Sequence, residues 1–324
     1  MTLPRPRIPI DEPVPLESQG SWPDSVHVFD EHSAWAIESA LQACRPLLVR
    51  GETGTGKSQL ARAAAKELKR AFIAEVVHAR SESQDLLYRY DAVGRLGEAH
   101  TLGSATRAEI DARLDPLKYL TPGPLWWVIN PGTARDRQAA AHKTCAGQAV
   151  PDQDYSNGCV LLIDEIDKAD SDLPNGLLEA LGNGGFSVPW LPDAVRADPA
   201  IPAPLVIVSS NEEKELPAAF VRRCMVLNLR LPKGEAEFVP FMERRGRHHF
   251  GTQCSDDVYT EAARLLWADR QKADNLGHPV PGQAEYLDLL RVLVKLSEGD
   301  HAVQDGLLKK VAGFALKKHP DLAD

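Results

Sequence analysis

Gly51-Glu52-Thr53-Gly54-Thr55-Gly56-Lys57-Ser58 decides how the rest of the chain is read. Its spacing is G-x-x-x-x-G-K-S. Glycines at 51, 54 and 56 let a backbone approach a bulky anion without Cβ clashes, so that successive N–H groups can wrap a polyphosphate. In a loop of this kind Lys57 reaches the outer phosphates and the Ser58 hydroxyl ligates Mg²⁺. Pro46-Leu47-Leu48-Val49 just before it is a short apolar run of buried-strand type. After it, Leu60, Ala64 and Leu68 recur at helical spacing and predict an amphipathic helix over 57–70. Strand, loop and helix in this order aim a helix N-terminus at phosphate. A glycine turn that binds nothing has no need of that flanking pattern.

Composition narrows the classes. The chain has 324 residues, 43% hydrophobic and 26% charged, which suits one large packed domain or two ordinary ones. A net charge of −9 argues against broad electrostatic binding of nucleic acid. No apolar run approaches the length of a membrane span, and the N-terminus lacks the apolar core of a signal peptide. The five cysteines, at 44, 145, 159, 224 and 254, form no C-x-x-C pair. Reduced thiols in a cytoplasm are therefore expected, rather than a disulfide framework or a zinc site.

Along the chain, residues 1–26 carry six prolines and read as an extended arm. A helix is expected from Asp30, with Ala34, Ile37, Leu41 and Cys44 on one face. Residues 71–77 read as a second strand. Pro122-Gly123-Pro124 introduces Trp126 and Trp127, which core packing or a contact surface could claim; the Gly-Pro flanks favour a face toward a partner. Residues 130–158 read as a long surface insertion. Cys159-Val160-Leu161-Leu162-Ile163 is a strongly apolar strand, 173–181 a helix, 186–188 the start of a hairpin, and 204–208 a further buried strand ending in Ser209-Ser210-Asn211. Strands alternating with helices predict a parallel α/β sheet with helices on both faces. Beyond Pro232 only helical patterns remain, over 235–249, 255–272, 283–296 and 301–318. The last sets Val303, Leu307, Val311 and Phe314 on one side, with Lys317 and Lys318 at its end. The expected division is an arm (1–26), an α/β nucleotide-binding core (27–232) and a small helical domain (233–324). Arg244-Arg245-Gly246-Arg247-His248-His249 is the one dense basic patch, read as a solvated helix end.

The chemistry lies at two places. Asp164 ends the apolar strand and would hold Mg²⁺ through water, opposite Ser58. Glu165 beside it could polarise an attacking water, since a carboxylate within hydrogen-bond reach is what general-base work requires.

Taken together, residues 51–58, Asp164-Glu165-Ile166-Asp167-Lys168-Ala169 and Asn211 resemble the AAA+ ATPases. Gly123-Pro124-Leu125, Asn175-Gly176-Leu177-Leu178-Glu179-Ala180-Leu181 and Leu216-Pro217-Ala218-Ala219-Phe220-Val221-Arg222-Arg223 are similar to the pattern of the MoxR-type and dynein-related branch. The resemblance covers about residues 28–232 and implies a P-loop sheet sandwiched by helices and followed by a helical lid. It also implies ATP with Mg²⁺, and the whole of Gly51, Glu52, Thr53, Gly54, Thr55, Gly56, Lys57 and Ser58 as the phosphate cradle. Asn211 matches the sensor that places the lytic water. Arg223, with Arg222 as runner-up, matches the arginine finger offered to a neighbouring subunit. Trp126 and Trp127 fall where the family has a pore-facing insertion. The same resemblance implies a homo-oligomeric ring of six that remodels a protein client, alongside a von Willebrand A-type partner. A nucleotide-gated assembly switch with slow hydrolysis is the alternative. A nucleic-acid motor of the restriction-GTPase type is disfavoured by the net charge. The chain departs from the family at the start of the lid helix, where an arginine is usual. Pro281-Gly282-Gln283-Ala284-Glu285 has Gln283 there, and Arg291 lies two turns on.

Overall fold

The apolar runs of the α/β half lie side by side in one sheet. The computed structural model describes residues 5–20, 22–103, 106–141 and 153–317. A hairpin of β1 (Pro13–Leu16) and β2 (Ser25–Val28) precedes α1 (Glu31–Ala43). Strand β3 (Leu47–Gly51) runs through the glycine loop into α2 (Lys57–Glu67), and β4 (Ala71–Val76) follows. An excursion comes next, made of α3 (Ser83–Leu87), β5 (Tyr88–Tyr90), α4 (Ala92–Thr101), α5 (Arg107–Arg113), β6 (Leu120–Pro122), α6 (Pro124–Ile129) and α7 (Pro131–Ala140). The chain returns through β7 (Cys159–Asp164), α8 (Asp172–Gly182), a short hairpin of β8 (Gly185–Phe186) with β9 (Val195–Arg196), then β10 (Leu205–Ser210), α9 (Ala218–Arg223) and β11 (Met225–Leu229). Four helices close it: α10 (Glu235–Phe250), α11 (Asp256–Asn275), α12 (Gln283–Ser297) and α13 (His301–Leu316).

The five-stranded sheet has the order β11-β3-β10-β7-β4. Strand β7 pairs in parallel with β10, Val160 against Leu205, and with β4, Cys159 against Ala71. Parallel strands covered on both faces have no wet side, which is why β7 and β10 read as continuous apolar runs; all six residues of β10 are buried. This is the parallel sheet flanked by helices, with a helical C-terminal region, of a P-loop NTPase.

The chain divides into two compact units, each with its own core. One comprises residues 35–49 and 64–227 and contains the body of the sheet. Its core joins Leu161, Ile163, Val206 and Val208 of the strands to Trp126, Trp127, Leu177 and Phe220 of the helices. Here the expected exposure of the tryptophans is overturned. Trp126 is 2% and Trp127 6% exposed, and all six residues of α6 are buried. The physical reason is Gly123. A Cβ there would come within 2.6 Å of the Leu86 carbonyl oxygen, so glycine is what lets α6 press against the end of α3. The Gly-Pro signal marks a close approach rather than an exposed turn. The Trp126 indole N–H donates to Thr133 Oγ1 at 3.0 Å, and Trp127 stacks on Tyr155. Of the insertion expected over 130–158, the first part is helix α7 and residues 142–152 lie outside the described residues, as does Cys145.

The other unit comprises residues 1–34, 50–63 and 228–324, described from 5 to 317 with residue 21 excepted. Its core is Phe238, Met242, Tyr259, Leu266, Tyr286, Leu290 and Leu293. Gly246 sets the spacing of these helices, because a Cβ there would meet Tyr259 at 2.7 Å and the Tyr286 hydroxyl at 2.8 Å. The Pro-rich stretch is not simply extended. Ile8, Val14, Leu16 and Val28 are buried, so β1 and β2 have an apolar face that the prolines disguise. Helix α13 also differs from expectation. Phe314 is 87% exposed and Val303 45%, whereas Gln304, Leu308 and Leu316 are buried. Gln304 turns the helix, since its side chain accepts from Ser255 N–H at 3.2 Å and donates to Gln253 O at 2.7 Å and Ser297 Oγ at 3.2 Å. Lys317 follows α13 directly and Lys318 lies outside the described residues. The basic patch is divided. Arg244 and Arg247 are exposed, as a solvated helix end would have them, with Arg247 pairing with Asp256 over Tyr259. Arg245 instead donates to Val28 O at 2.8 Å and covers the Phe241 ring.

Candidate nucleotide site

The glycine loop is built by backbone conformations that side chains resist. Gly54 has φ +80° and Gly56 φ +92°, in the left-handed half of the map. Gly51 has no room for a side chain, since a Cβ there would lie 2.5 Å from the Leu229 carbonyl oxygen. Thr55 Oγ1 donates to Glu52 O at 2.9 Å and closes the loop on itself. Lys57, the first residue of α2, is buried, and its ammonium donates to the carbonyls of Gly51 at 2.7 Å and Glu52 at 2.9 Å. An ammonium taken out of water calls for strong acceptors. A polyphosphate would supply stronger ones than two carbonyls, and the loop's donor set, amides followed by Lys57 and the Ser58 hydroxyl, fits a phosphate with its Mg²⁺. Glu52 and Thr53 also touch the C-terminal helices of their own unit. Arg270 of α11 forms an ion pair with Glu52 at 3.0 Å, and a Cβ on Gly282 would come within 3.4 Å of Thr53 O.

The acidic end is built from side chains far apart in sequence. Asp164 is the last residue of β7, and its carboxylate accepts from the hydroxyl of Ser209, on neighbouring β10. The same hydroxyl accepts from the Glu165 N–H at 3.0 Å. Glu165 sits at φ +60°, ψ +44°, a left-handed conformation rare for a residue with a side chain and often found at functional sites. Lys168 Nζ reaches the Glu165 carboxylate at 2.7 Å, and Asn211 Nδ2 donates to its other oxygen at 3.4 Å. The ion pair raises the pKa of Lys168. Buried Asp167 accepts from the N–H groups of Asn211 at 3.3 Å and Glu213 at 2.9 Å, which anchors the segment that carries the Asn211 side chain. Asp164, Glu165 and Asn211, singled out from the sequence, therefore form one cluster. Ser209 and Asp167 belong to it and were missed as site residues. Their signals were present, two residues before Asn211 and three after Asp164.

Arg222 and Arg223 end α9, exposed, and neither has a hydrogen-bond or ion-pair partner among the described residues. Gln283 is the first residue of α12 and half-buried, while Arg291 pairs with Asp288 on its own helix. Among the described residues no group of three or more His, Cys, Asp or Glu is placed to hold a metal, and no helix is long and apolar enough to cross a membrane.

A parallel five-stranded sheet, a glycine loop with a buried lysine and an Asp-Glu strand end define a P-loop ATPase of the AAA+ class. The chain belongs to the dynein-related AAA family, because the family described as AAA domain (dynein-related subfamily) matches it over residues 46–224, more than half its length. No curated protein sequence matches the chain. Among solved structures, mutant forms of RuvB from Thermotoga maritima are similar at 17% identity and a TM-score of 0.44, or 16% and 0.42. The match covers 86% of this chain and 66% of theirs, so the chain spans about two-thirds of their length.

Proposed function

We propose that the protein is a MoxR-like ATPase that hydrolyses ATP between the subunits of a homo-oligomeric ring, a hexamer by family pattern, and uses the cycle to remodel a protein client in the cytoplasm. The observation that carries the reading is the buried Lys57 ammonium at the foot of a loop whose backbone only glycine suits. The loop from Gly51 to Ser58 holds the triphosphate, with Lys57 on its outer oxygens. Ser58 and, through water, Asp164 would hold Mg²⁺, which would supply neutralisation of phosphate charge. Glu165 takes a proton from water as the water oxygen bonds to the terminal phosphorus and the bond to ADP breaks. Asn211 orients that water. Arg223 or Arg222, exposed and without partners among the described residues, supplies positive charge to the next subunit's terminal phosphate. An arginine finger of this kind is worth about 10³ to 10⁵ in rate. A von Willebrand A-type protein is the partner the branch suggests. The organisation into arm, core and lid at about residues 26 and 232 belongs to this reading.

One observation favours the slower alternative, a nucleotide-gated assembly switch. Lys168 and Asn211 both engage the Glu165 carboxylate, so its two oxygens are already occupied and must be freed before they can meet a water. Turnover separates the two. Lys57→Ala is expected to abolish ATP binding, and Glu165→Gln to keep binding while losing hydrolysis. Arg223→Ala is expected to bind ATP yet hardly turn it over, and to regain part of its activity when mixed with Lys57→Ala. Wild-type turnover by Glu165→Gln, measured as phosphate release, removes Glu165 as the base. Absence of rescue in subunit-exchanging mixtures sinks the shared site.

A further inference from the structure

The C-terminal helices touch the phosphate loop at three points within one compact unit. At the first, Ala284 of α12 packs so closely on Gly54 that a Cβ on Gly54 would lie 2.8 Å from the Ala284 Cβ. Gly282, which caps the same helix, is the second, close to Thr53 O. The third is charged. Arg270 reaches both oxygens of the Glu52 carboxylate, at 3.0 and 3.3 Å, while its other nitrogen donates to Pro281 O at 2.5 Å and its guanidinium covers the Phe238 ring.

Glu52 is an awkward residue for a loop that receives a polyanion. Its carboxylate opposes phosphate, and its backbone carbonyl is where the Lys57 ammonium rests. The two ends of the residue are linked. When Lys57 moves to phosphate oxygens the Glu52 carbonyl keeps its donors from Thr55, inside the loop itself, and the carboxylate tether is what then ties the residue to the helices. Arg270 supplies that tether and cancels the local negative charge. Its side chain is 12% exposed against 49% for Glu52, so the cation is held fixed by the helices while the carboxylate end is the movable partner.

We propose that Arg270 is a positioning residue for nucleotide. It neutralises and fixes Glu52, and the helical region senses the charge of the bound phosphate chain through this ion pair rather than through Gln283. The inference rests on the reading of the loop as an ATP site. It differs from a packing role for Arg270 in one respect, which is that deleting the carboxylate should cancel the need for the arginine.

The test measures ATP and ADP affinity by anisotropy of fluorescent analogues for wild type, Arg270→Met, Arg270→Lys, Glu52→Gln and the Arg270→Met/Glu52→Gln pair. Methionine keeps an aliphatic stem over Phe238. Arg270→Met is expected to weaken ATP about tenfold and ADP about threefold, since the more highly charged ligand meets more repulsion from a bare carboxylate. Arg270→Lys should retain most of the affinity, and the double variant should return to within about twofold of Glu52→Gln. A double variant as weak as Arg270→Met, or equal losses for ATP and ADP, overturns the proposal while leaving the ATP site intact. Should Arg270→Met not fold, Arg270→Gln takes its place in the same cycle; a larger loss for ATP than for ADP is again expected, and equal losses overturn the role. Failure of wild type to bind either nucleotide removes the reading of the loop, and this inference with it.

Discussion

The phosphate loop and the acidic strand end meet the same requirement, holding charged groups still, by opposite means. The loop does it with backbone: left-handed glycines at 54 and 56, no space at 51, and a lysine on two carbonyls only five and six residues behind it. The acidic end does it with side chains from another strand. Ser209 lies 44 and 45 residues from the two groups it bridges, Glu165 and Asp164, and Asp167 holds N–H groups 44 and 46 residues away. A site made of local backbone shows itself in eight consecutive letters. One made of long-range hydrogen bonds shows only its end points.

The sharpest way to break this contrast is to give the loop one methyl group. Gly54→Ala must hold alanine at φ +80° and within 2.8 Å of the Ala284 Cβ. Left-handed backbone alone costs about 1–3 kcal/mol for such a residue, and the overlap adds to it. The loop should give way, and ATP affinity should fall by about 100-fold or more, as measured by nucleotide titration. The further exchange Ala284→Gly in the same chain should recover part of the loss, because it removes the overlap and leaves the backbone term. Normal affinity in Gly54→Ala means that the loop's shape does not depend on glycine.

The same contrast explains what could be read from sequence. Strands β7 and β10 were legible because both faces are buried, and α2 and the four C-terminal helices because their period is local. The orientation of α6 was not legible. Trp126 and Trp127 lie beside a Gly-Pro pair that serves equally in an exposed turn, and the deciding contact, Gly123 on the Leu86 carbonyl, joins segments 37 residues apart. Helix α13 failed for a related reason. A periodic apolar face is ordinarily the buried one, but Gln304 finds three partners on other segments and rotates Phe314 out. Contacts at long separation, a close backbone approach at α6 and hydrogen bonds at α13 and Ser209, were the missing information rather than propensities.

The two units should also respond differently to acid. His27 is buried in the unit that carries the loop, against Phe29 and close to Arg245, Asp30 and His249. Burial first, then the Arg245 charge, pushes its pKa down to about 3, and burial likewise lowers His249 to about 4. In the unfolded chain a histidine titrates near 6.5. Its folded pKa being the lower, the unfolded state takes up the proton first as pH falls. The stability contribution of neutral His27 is therefore complete above about pH 6.5 and is lost progressively down to about pH 3. At pH 5 the loss comes to about 2 kcal/mol. In the other unit the histidines among the described residues, His78 and His100, are exposed. Hydrogen exchange, corrected for the intrinsic pH dependence of amide exchange, should then accelerate at pH 5 relative to pH 7 in β2 and α10 before β7 and β10. His27→Gln should flatten the acid slope of the melting temperature. Equal acceleration in both units counts against this assignment.

The smallest expected effect tests the acidic end alone. The Ser209 hydroxyl donates to Asp164 and accepts from Glu165 N–H, and the residue is fully buried. Ser209→Ala removes one donor from the carboxylate proposed to hold Mg²⁺ through water. It also leaves an N–H unpaired at the residue that already occupies a left-handed conformation. An unmade hydrogen bond of this kind costs about 1–3 kcal/mol, and here the cost falls on the placement of Glu165 rather than on the loop. Hydrolysis should drop about tenfold while ATP affinity, which rests mainly on the loop, changes by less than about threefold. Ser209→Thr keeps a hydroxyl and should recover most of the rate if its methyl group is accommodated. That split between turnover and affinity is what distinguishes a positioning serine from one that merely fills the core, since a packing defect lowers the melting temperature and leaves the catalytic rate of the folded fraction alone. An unchanged rate per folded molecule in Ser209→Ala would show that Glu165 holds its place without the cross-strand hydroxyl, and the acidic end would then be as locally built as the loop.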